Sequence, residues 1–170
     1  MRAFVTVGTF QFDALVAAVL DERVLVALRD RGYTELVVQC GKSAFEHAAA
    51  VAGGETVYIE RDGMRVELWQ SRPSLDAEFR RADLVIGHAG AGTILEVLRL
   101  GKPLIVVPNP TLLHNHQTEL AAALGPYLKT AAIHDLADTI ASFDPASLQK
   151  FPPFDGSRFR ALVDAEMGFV

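Results

Sequence analysis

The sequence predicts a single α/β domain built on a Rossmann-like parallel sheet, and three observations lead there. Short apolar runs alternate with stretches of helical periodicity, the order that puts helices on both faces of a parallel sheet. A length of 170 residues, with 50% hydrophobic and 22% charged side chains, suits one buried core. The third is the run His88-Ala89-Gly90-Ala91-Gly92-Thr93-Ile94-Leu95-Glu96, in which a strand empties through small residues into a helix start. Backbone N–H groups left free there, with the positive end of the helix dipole, suit a phosphate or diphosphate. Glycine matters because a side chain would keep an anion from the backbone.

The first strand spans Ala3–Val7, and Gly8-Thr9 turns out of it. Asp13 is placed to cap a helix over Ala14–Leu20, and a second helix over Arg23–Arg31 stops at Gly32. Leu36–Gln39 is the next strand, followed by Gly41-Lys42-Ser43 and an alanine-rich helix reaching Ala52. Val57–Ile59 and Val66–Trp69 flank Arg61-Asp62-Gly63, whose Asp-Gly favours a tight hairpin. Pro73-Ser74 opens a helix that turns Leu75, Phe79 and Ala82 inward. The strand Leu84–His88 leads through the glycine-rich turn into a helix over Thr93–Leu100, ended by Gly101-Lys102-Pro103. Leu104–Val107 is a short buried strand, Pro108-Asn109-Pro110 a rigid loop, and Asn115–Leu124 a helix closing at Gly125-Pro126. From Asp144-Pro145 to Phe154 the chain reads as a proline-punctuated connector; beyond it Phe159, Leu162, Val163 and Met167 form an apolar stripe on a last helix.

A net charge of −5 without a Lys/Arg cluster argues against nucleic acid as a partner. The single cysteine, Cys40, lies in an apolar strand and reads as a buried thiol in a reducing compartment. The start lacks an apolar signal-peptide core, and no run approaches the roughly 20 apolar residues of a membrane span. A soluble, cytosolic chain is therefore expected.

In an open parallel sheet, ligands bind beyond the carboxyl ends of the strands. Three loops converge there: Gly8-Thr9, Gly90 to Thr93, and Pro108 to Gln117. Neither a dinucleotide fingerprint nor a Walker loop is present, since Gly41-Lys42-Ser43 lacks the preceding glycine. Two backbone N–H bonds to a charged oxygen contribute about 1.5–3 kcal/mol each and the dipole about 0.3–1, so capture needs further contacts. Glu96 could accept both hydroxyls of a ribose, but Thr93-Ile94-Leu95-Glu96 is equally a capping box. His114-Asn115-His116-Gln117 lacks metal-ligand spacing; it is either a polar cluster meeting a sugar or a helix start capped by Asn115. His88 could hold the anion, act as acid or base, or be a satisfied polar residue. No metal or cofactor is expected.

Taken together these residues resemble the nucleotide-sugar-binding half of the family of the peptidoglycan lipid-linked N-acetylglucosaminyltransferase. They are more similar still to the donor-binding subunits of two-component UDP-N-acetylglucosamine transferases of dolichol-linked oligosaccharide synthesis. The matching pieces are Phe4 to Thr9, Pro73-Ser74-Leu75, Ala82 to Glu96, Gly101 to Leu104, and Asn115 to Ala121. The family often has Ser where this chain has Gly87. The resemblance implies the C-terminal half of a B-fold glycosyltransferase, with residues 1–143 as the nucleotide-sugar-binding domain, 144–156 as connector and 157–170 as a partner-docking helix. It implies that Gly90, Ala91, Gly92 and Thr93 hold the diphosphate, that Glu96 grips the ribose, and that Gln117 with His116 or Asn115 meets the sugar, while Gly8-Thr9 faces the cleft. The implied reaction transfers N-acetylglucosamine with inversion to N-acetylglucosaminyl-diphosphodolichol, forming a β-1,4 link. The base would come from a membrane-anchored acceptor-binding subunit on the cytosolic face of the endoplasmic reticulum, with His88 a weak candidate on this chain. A bacterial-type two-component exopolysaccharide transferase and a non-catalytic nucleotide-binding protein fit the same residues.

Overall fold

A computed structural model describes residues 1–109 and 116–168, apart from the side chains of His116 and Arg158. In chain order it contains β1 (Arg2–Thr6), α1 (Asp13–Val19), α2 (Glu22–Asp30), β2 (Glu35–Gln39), α3 (Ala48–Ala52), β3 (Val57–Arg61) and β4 (Met64–Trp69). These are followed by α4 (Asp76–Arg81), β5 (Leu84–His88), α5 (Ala91–Arg99), β6 (Leu104–Val107), α6 (His116–Ala123), β7 (Lys129–Thr130), α7 (Leu136–Ser142) and α8 (Ser157–Met167).

The strands join one sheet in the order β3-β4-β2-β1-β5-β6-β7. Only β3 runs antiparallel, returning along β4 through Asp62-Gly63, where both residues have positive φ (50° and 76°) as a tight primed turn requires. After β1 the chain builds outward through β2, then crosses back to place β5 on the other side of β1. The strand order therefore reverses between β1 and β5, and a crevice opens at their carboxyl ends.

Alternation along the strands divides the core in two. Val5, Val38, Ile86 and Val107 face α1, α2 and α7. Phe4, Val37, Val85 and Val106 face α4, α5 and α6. Phe4 sits between Trp69 and Phe79, with ring centroids 6.1 and 5.6 Å away. This is the single parallel-sheet α/β domain expected from the sequence, with both faces of the sheet covered.

Several boundaries differ from expectation. Asp13 is the first helical residue of α1 rather than its cap, and its Oδ1 accepts the Ala44 N–H at 2.8 Å. The residue before it, Phe12, gives its N–H to Ser43 Oγ, which fixes where the helix begins. α2 starts at Glu22, capped by Asp21, one residue before the expected Arg23. α5 starts at Ala91, two residues before the expected Thr93. β7 and α7 lie in a stretch for which the sequence reading placed no element, although Leu136, Ala137, Ile140 and Phe143 are buried at helical spacing. Within the connector, Leu148 and Phe151 pack against the core, Phe151 edge-on to Tyr127.

Candidate functional site

An open cleft of about 770 Å³ lies at the carboxyl ends of β1, β2, β4 and β5. Gly8, Thr9, His88, Gly90, Ala91, Gly92, Thr93 and Glu96 all line it. Of the other expected residues, Gln117 does not line this cleft, and its Oε1 accepts the Asn109 N–H at 2.8 Å. His116 is described only by its backbone, as the first residue of α6, and Asn115 lies outside the described residues.

The floor is His88, the last residue of β5, which is 8% exposed. Its imidazole lies against both Gly8 and Gly90, and a Cβ at either position would run into the ring. The two glycines therefore make room for a side chain as well as for any anion. Burial pushes His88 below the ordinary imidazole value, offset a little by the Thr6 backbone beside it. Among the described residues Nδ1 meets no partner at hydrogen-bonding geometry, so the offset is small and the neutral ring is favoured.

Above His88 the chain enters α5. The Gly90 N–H is already given to the His88 carbonyl, and Ile94 N–H closes the first helical bond to Gly90. The N–H groups of Ala91, Gly92 and Thr93 belong to the first turn and have no intrahelical acceptor. The helix cap, Gly90, offers no side chain to cover them. A Cβ at Gly92 would meet nothing within 4 Å, so packing against the described residues does not require glycine there.

With Ala91 as the first helical residue, Glu96 is the sixth. A capping box needs its carboxylate at the third, so that reading is excluded by geometry. Glu96 is exposed, one turn beyond the free N–H groups, and lines the same cleft.

Sequence reasoning missed Gln39, at the carboxyl end of β2 and 3% exposed. Its Oε1 accepts from Thr6 Oγ1 (2.6 Å) and Gly8 N–H (3.0 Å), and its Nε2 donates to the Gly8 and Gln70 carbonyls, each at 2.8 Å. One amide thus ties together the loops after β1 and β4. The available signal was a polar residue ending a buried apolar strand. It also missed the rim from Gln70 to Leu75, where Arg72 lies 4.2 Å over the Trp69 ring and pairs with Glu67 (2.7 Å) and Glu78 (2.6 Å).

Among the described residues no three His, Cys, Asp or Glu side chains converge as metal ligands would. A smaller hollow of about 320 Å³ lies beside the starts of β1, β2 and β4, where Glu35 is already paired to Arg65 at 2.6 Å.

A seven-stranded, mostly parallel sheet with an open cleft at its switch point is the fold of the C-terminal half of a two-domain glycosyltransferase. Residues 2–160 match the glycosyltransferase family 28 C-terminal domain, and the chain belongs to that family. Its relatives include UDP-N-acetylglucosamine transferase subunits named ALG13. The subunit of Cryptococcus neoformans is 33% identical over 97% of this chain and 96% of its own length. The mouse subunit is 42% identical over 72% of this chain, which spans about 10% of that longer protein. The solution structure of ALG13 superposes with a TM-score of 0.66 at 26% identity, covering 95% of this chain and 94% of its own. Acinetobacter baumannii MurG has the same fold over 86% of this chain and 42% of its own, with a TM-score of 0.60 at 20% identity.

Proposed function

We propose that this chain is the donor-binding subunit of an inverting N-acetylglucosaminyltransferase. It takes UDP-N-acetylglucosamine as donor and extends N-acetylglucosaminyl-diphosphodolichol by a β-1,4 link, the second step of N-glycan lipid precursor assembly. The observation that carries this reading is the start of α5, where three unbonded N–H groups and Glu96 face one cleft at the switch point. The names of its relatives, UDP-N-acetylglucosamine transferase subunits, support the donor.

On this reading the diphosphate lies on the N–H groups of Ala91, Gly92 and Thr93, and Glu96 accepts the ribose hydroxyls. Gln117, outside the cleft lining and holding the Asn109 N–H through its Oε1, meets the sugar with His116 or Asn115 where the donor extends past the diphosphate. The acceptor hydroxyl attacks the anomeric carbon from the face opposite the diphosphate; the C–O bond to UDP breaks and negative charge gathers on the departing phosphate. The α5 N–H groups, already aimed at that charge, lower the barrier by electrostatic preorganisation. A base must take the acceptor proton. His88 is neutral but buried, and burial disfavours the cation that proton transfer would create, so its role is to shape the floor. The base is assigned to a membrane-anchored partner on the cytosolic face of the endoplasmic reticulum. Among the described residues no helix is long and apolar enough to cross a membrane, and α8 presents Phe159, Leu162 and Met167 to solvent as the docking face.

Calorimetry with UDP-N-acetylglucosamine tests the site. Glu96→Ala is expected to weaken binding about ten-fold, equivalent to about 1.4 kcal/mol. Unchanged affinity would remove Glu96 from the donor site. Transfer is expected only once a membrane partner is added, and full activity of the chain alone would overturn the divided active site.

A further inference from the structure

The cleft has a second wall, opposite α5, beyond the diphosphate and ribose contacts proposed above. The loop after β1 and the loop after β2 are stitched together there. Phe12 N–H donates to Ser43 Oγ (2.9 Å) and Ala44 N–H to Asp13 Oδ1 (2.8 Å), while Gln39 holds Gly8 from both sides. The loops touch at Gly41, whose φ is +56° and where a Cβ would lie 2.5 Å from the Phe10 carbonyl oxygen. Two side chains stand on this rigid rim. Phe10 is 57% exposed, an apolar ring held out over a cleft otherwise lined mainly by small and polar residues. Lys42 is exposed and, among the described residues, its ammonium has neither an ion pair nor a hydrogen bond, unlike Arg72, which is neutralised by two carboxylates.

An exposed aromatic ring and an unpaired cation on one rim match a pyranosyl diphosphate: the ring covers the apolar C–H face of the sugar and the ammonium meets the phosphates. The start of α5 already answers the donor's diphosphate, and β2 lies two strand spacings from β5, roughly 10 Å across the sheet. We propose that Phe10 and Lys42 form an acceptor subsite on this chain, for the sugar-diphosphate headgroup of the lipid acceptor. The proposal rests on the function proposed above and divides acceptor recognition between this chain and its partner.

The test uses the full chain with two titrations: UDP alone, and then a short-chain isoprenyl-diphosphate-linked N-acetylglucosamine added to protein saturated with UDP. The second probe is expected to bind, and Phe10→Ala and Lys42→Gln each to weaken it about five-fold or more while UDP affinity changes less than two-fold. Both positions are exposed, so the variants are expected to melt with the wild type, which circular dichroism checks. If Lys42→Gln weakens UDP as much as the probe, the cation serves the donor and the proposal fails. It fails equally if neither substitution affects the probe, or if the probe does not bind to protein that binds UDP normally; in those cases the donor-site reading stands. Absence of UDP binding by the wild type would sink the function and this inference together.

Discussion

The imidazole of His88 fills the space that a side chain at Gly8 would need: its Cε1 lies 2.6 Å from where a Gly8 Cβ would be. A Cβ at Gly90 would collide with the same ring more closely still, at Nε2. The two positions differ in backbone, Gly8 having φ +68° and Gly90 an ordinary φ of −81°. Gly90→Ala therefore suffers only the collision, about 1–3 kcal/mol, while Gly8→Ala adds about 1–2 kcal/mol for left-handed backbone. Adding His88→Ala is expected to rescue most of the Gly90→Ala loss but only part of the Gly8→Ala loss. Urea unfolding of the single and double variants measures this coupling.

His88 also makes stability depend on pH. Burial lowers its pKa in the fold, so the unfolded chain binds a proton that the native protein resists. The contribution is intact above about pH 6.5, the ordinary imidazole value, and is lost as pH falls below it, until the native ring itself titrates. Between about pH 7.5 and 5.5 the wild type is expected to lose more unfolding free energy than His88→Asn. Equal losses would mean that the ring is not desolvated in the fold.

Glu78 is the hub of an ion-pair chain. It bonds Arg2 Nη2 and Arg72 Nη1, each at 2.6 Å, and both its side chain and that of Arg2 are less than 10% exposed. Nε and Nη1 of Arg2 meet no acceptor among the described residues, so Glu78 is the partner that keeps this buried charge tolerable. Glu78→Ala is expected to cost about 3–5 kcal/mol. Arg72→Ala should cost less, because Glu78 still answers Arg2. Chemical denaturation of both variants orders the two losses.

Cys40 is buried at the end of β2, and burial pushes its thiol up to about 12. Almost no thiolate exists at neutral pH, so a thiol reagent such as dithionitrobenzoate is expected to leave the native chain unlabelled and to react fully in urea. Rapid labelling without denaturant would contradict this burial.

Gln39 makes four hydrogen bonds that hold the Gly8 loop and the Gln70 rim. Gln39→Leu leaves several of those groups buried without partners, and a loss of about 1–3 kcal/mol is expected for each that water cannot reach. Weaker binding of the lipid-linked N-acetylglucosamine probe should accompany the loss of stability, since the loop that carries Phe10 is no longer held at Gly8.

Strand and helix positions were largely legible because burial imposes periodicity on local sequence. Leu84–His88 and Leu104–Val107 appear as expected, as does the Asp62-Gly63 hairpin turn. Helix starts were less legible, because a start is decided by what takes the first N–H groups. Phe12 is held by Ser43, 31 residues away, and Gly90 carries no capping side chain to betray its position. That shift of two residues in α5 removes Glu96 from a capping box and leaves it exposed in the cleft.

Local chemistry determined the alternation of strands and helices, the glycine-rich turn into α5 and the family resemblance, since each depends on neighbours within a few residues. Only the tertiary structure decided that Gly8 and Gly90 share one imidazole, that Gln39 ties two loops, and that Glu78 joins Arg2 to Arg72. Each is a contact between residues distant in sequence. Such contacts follow from sheet order and register, in which β5 pairs beside β1 and brings His88 to the mouth of the first strand.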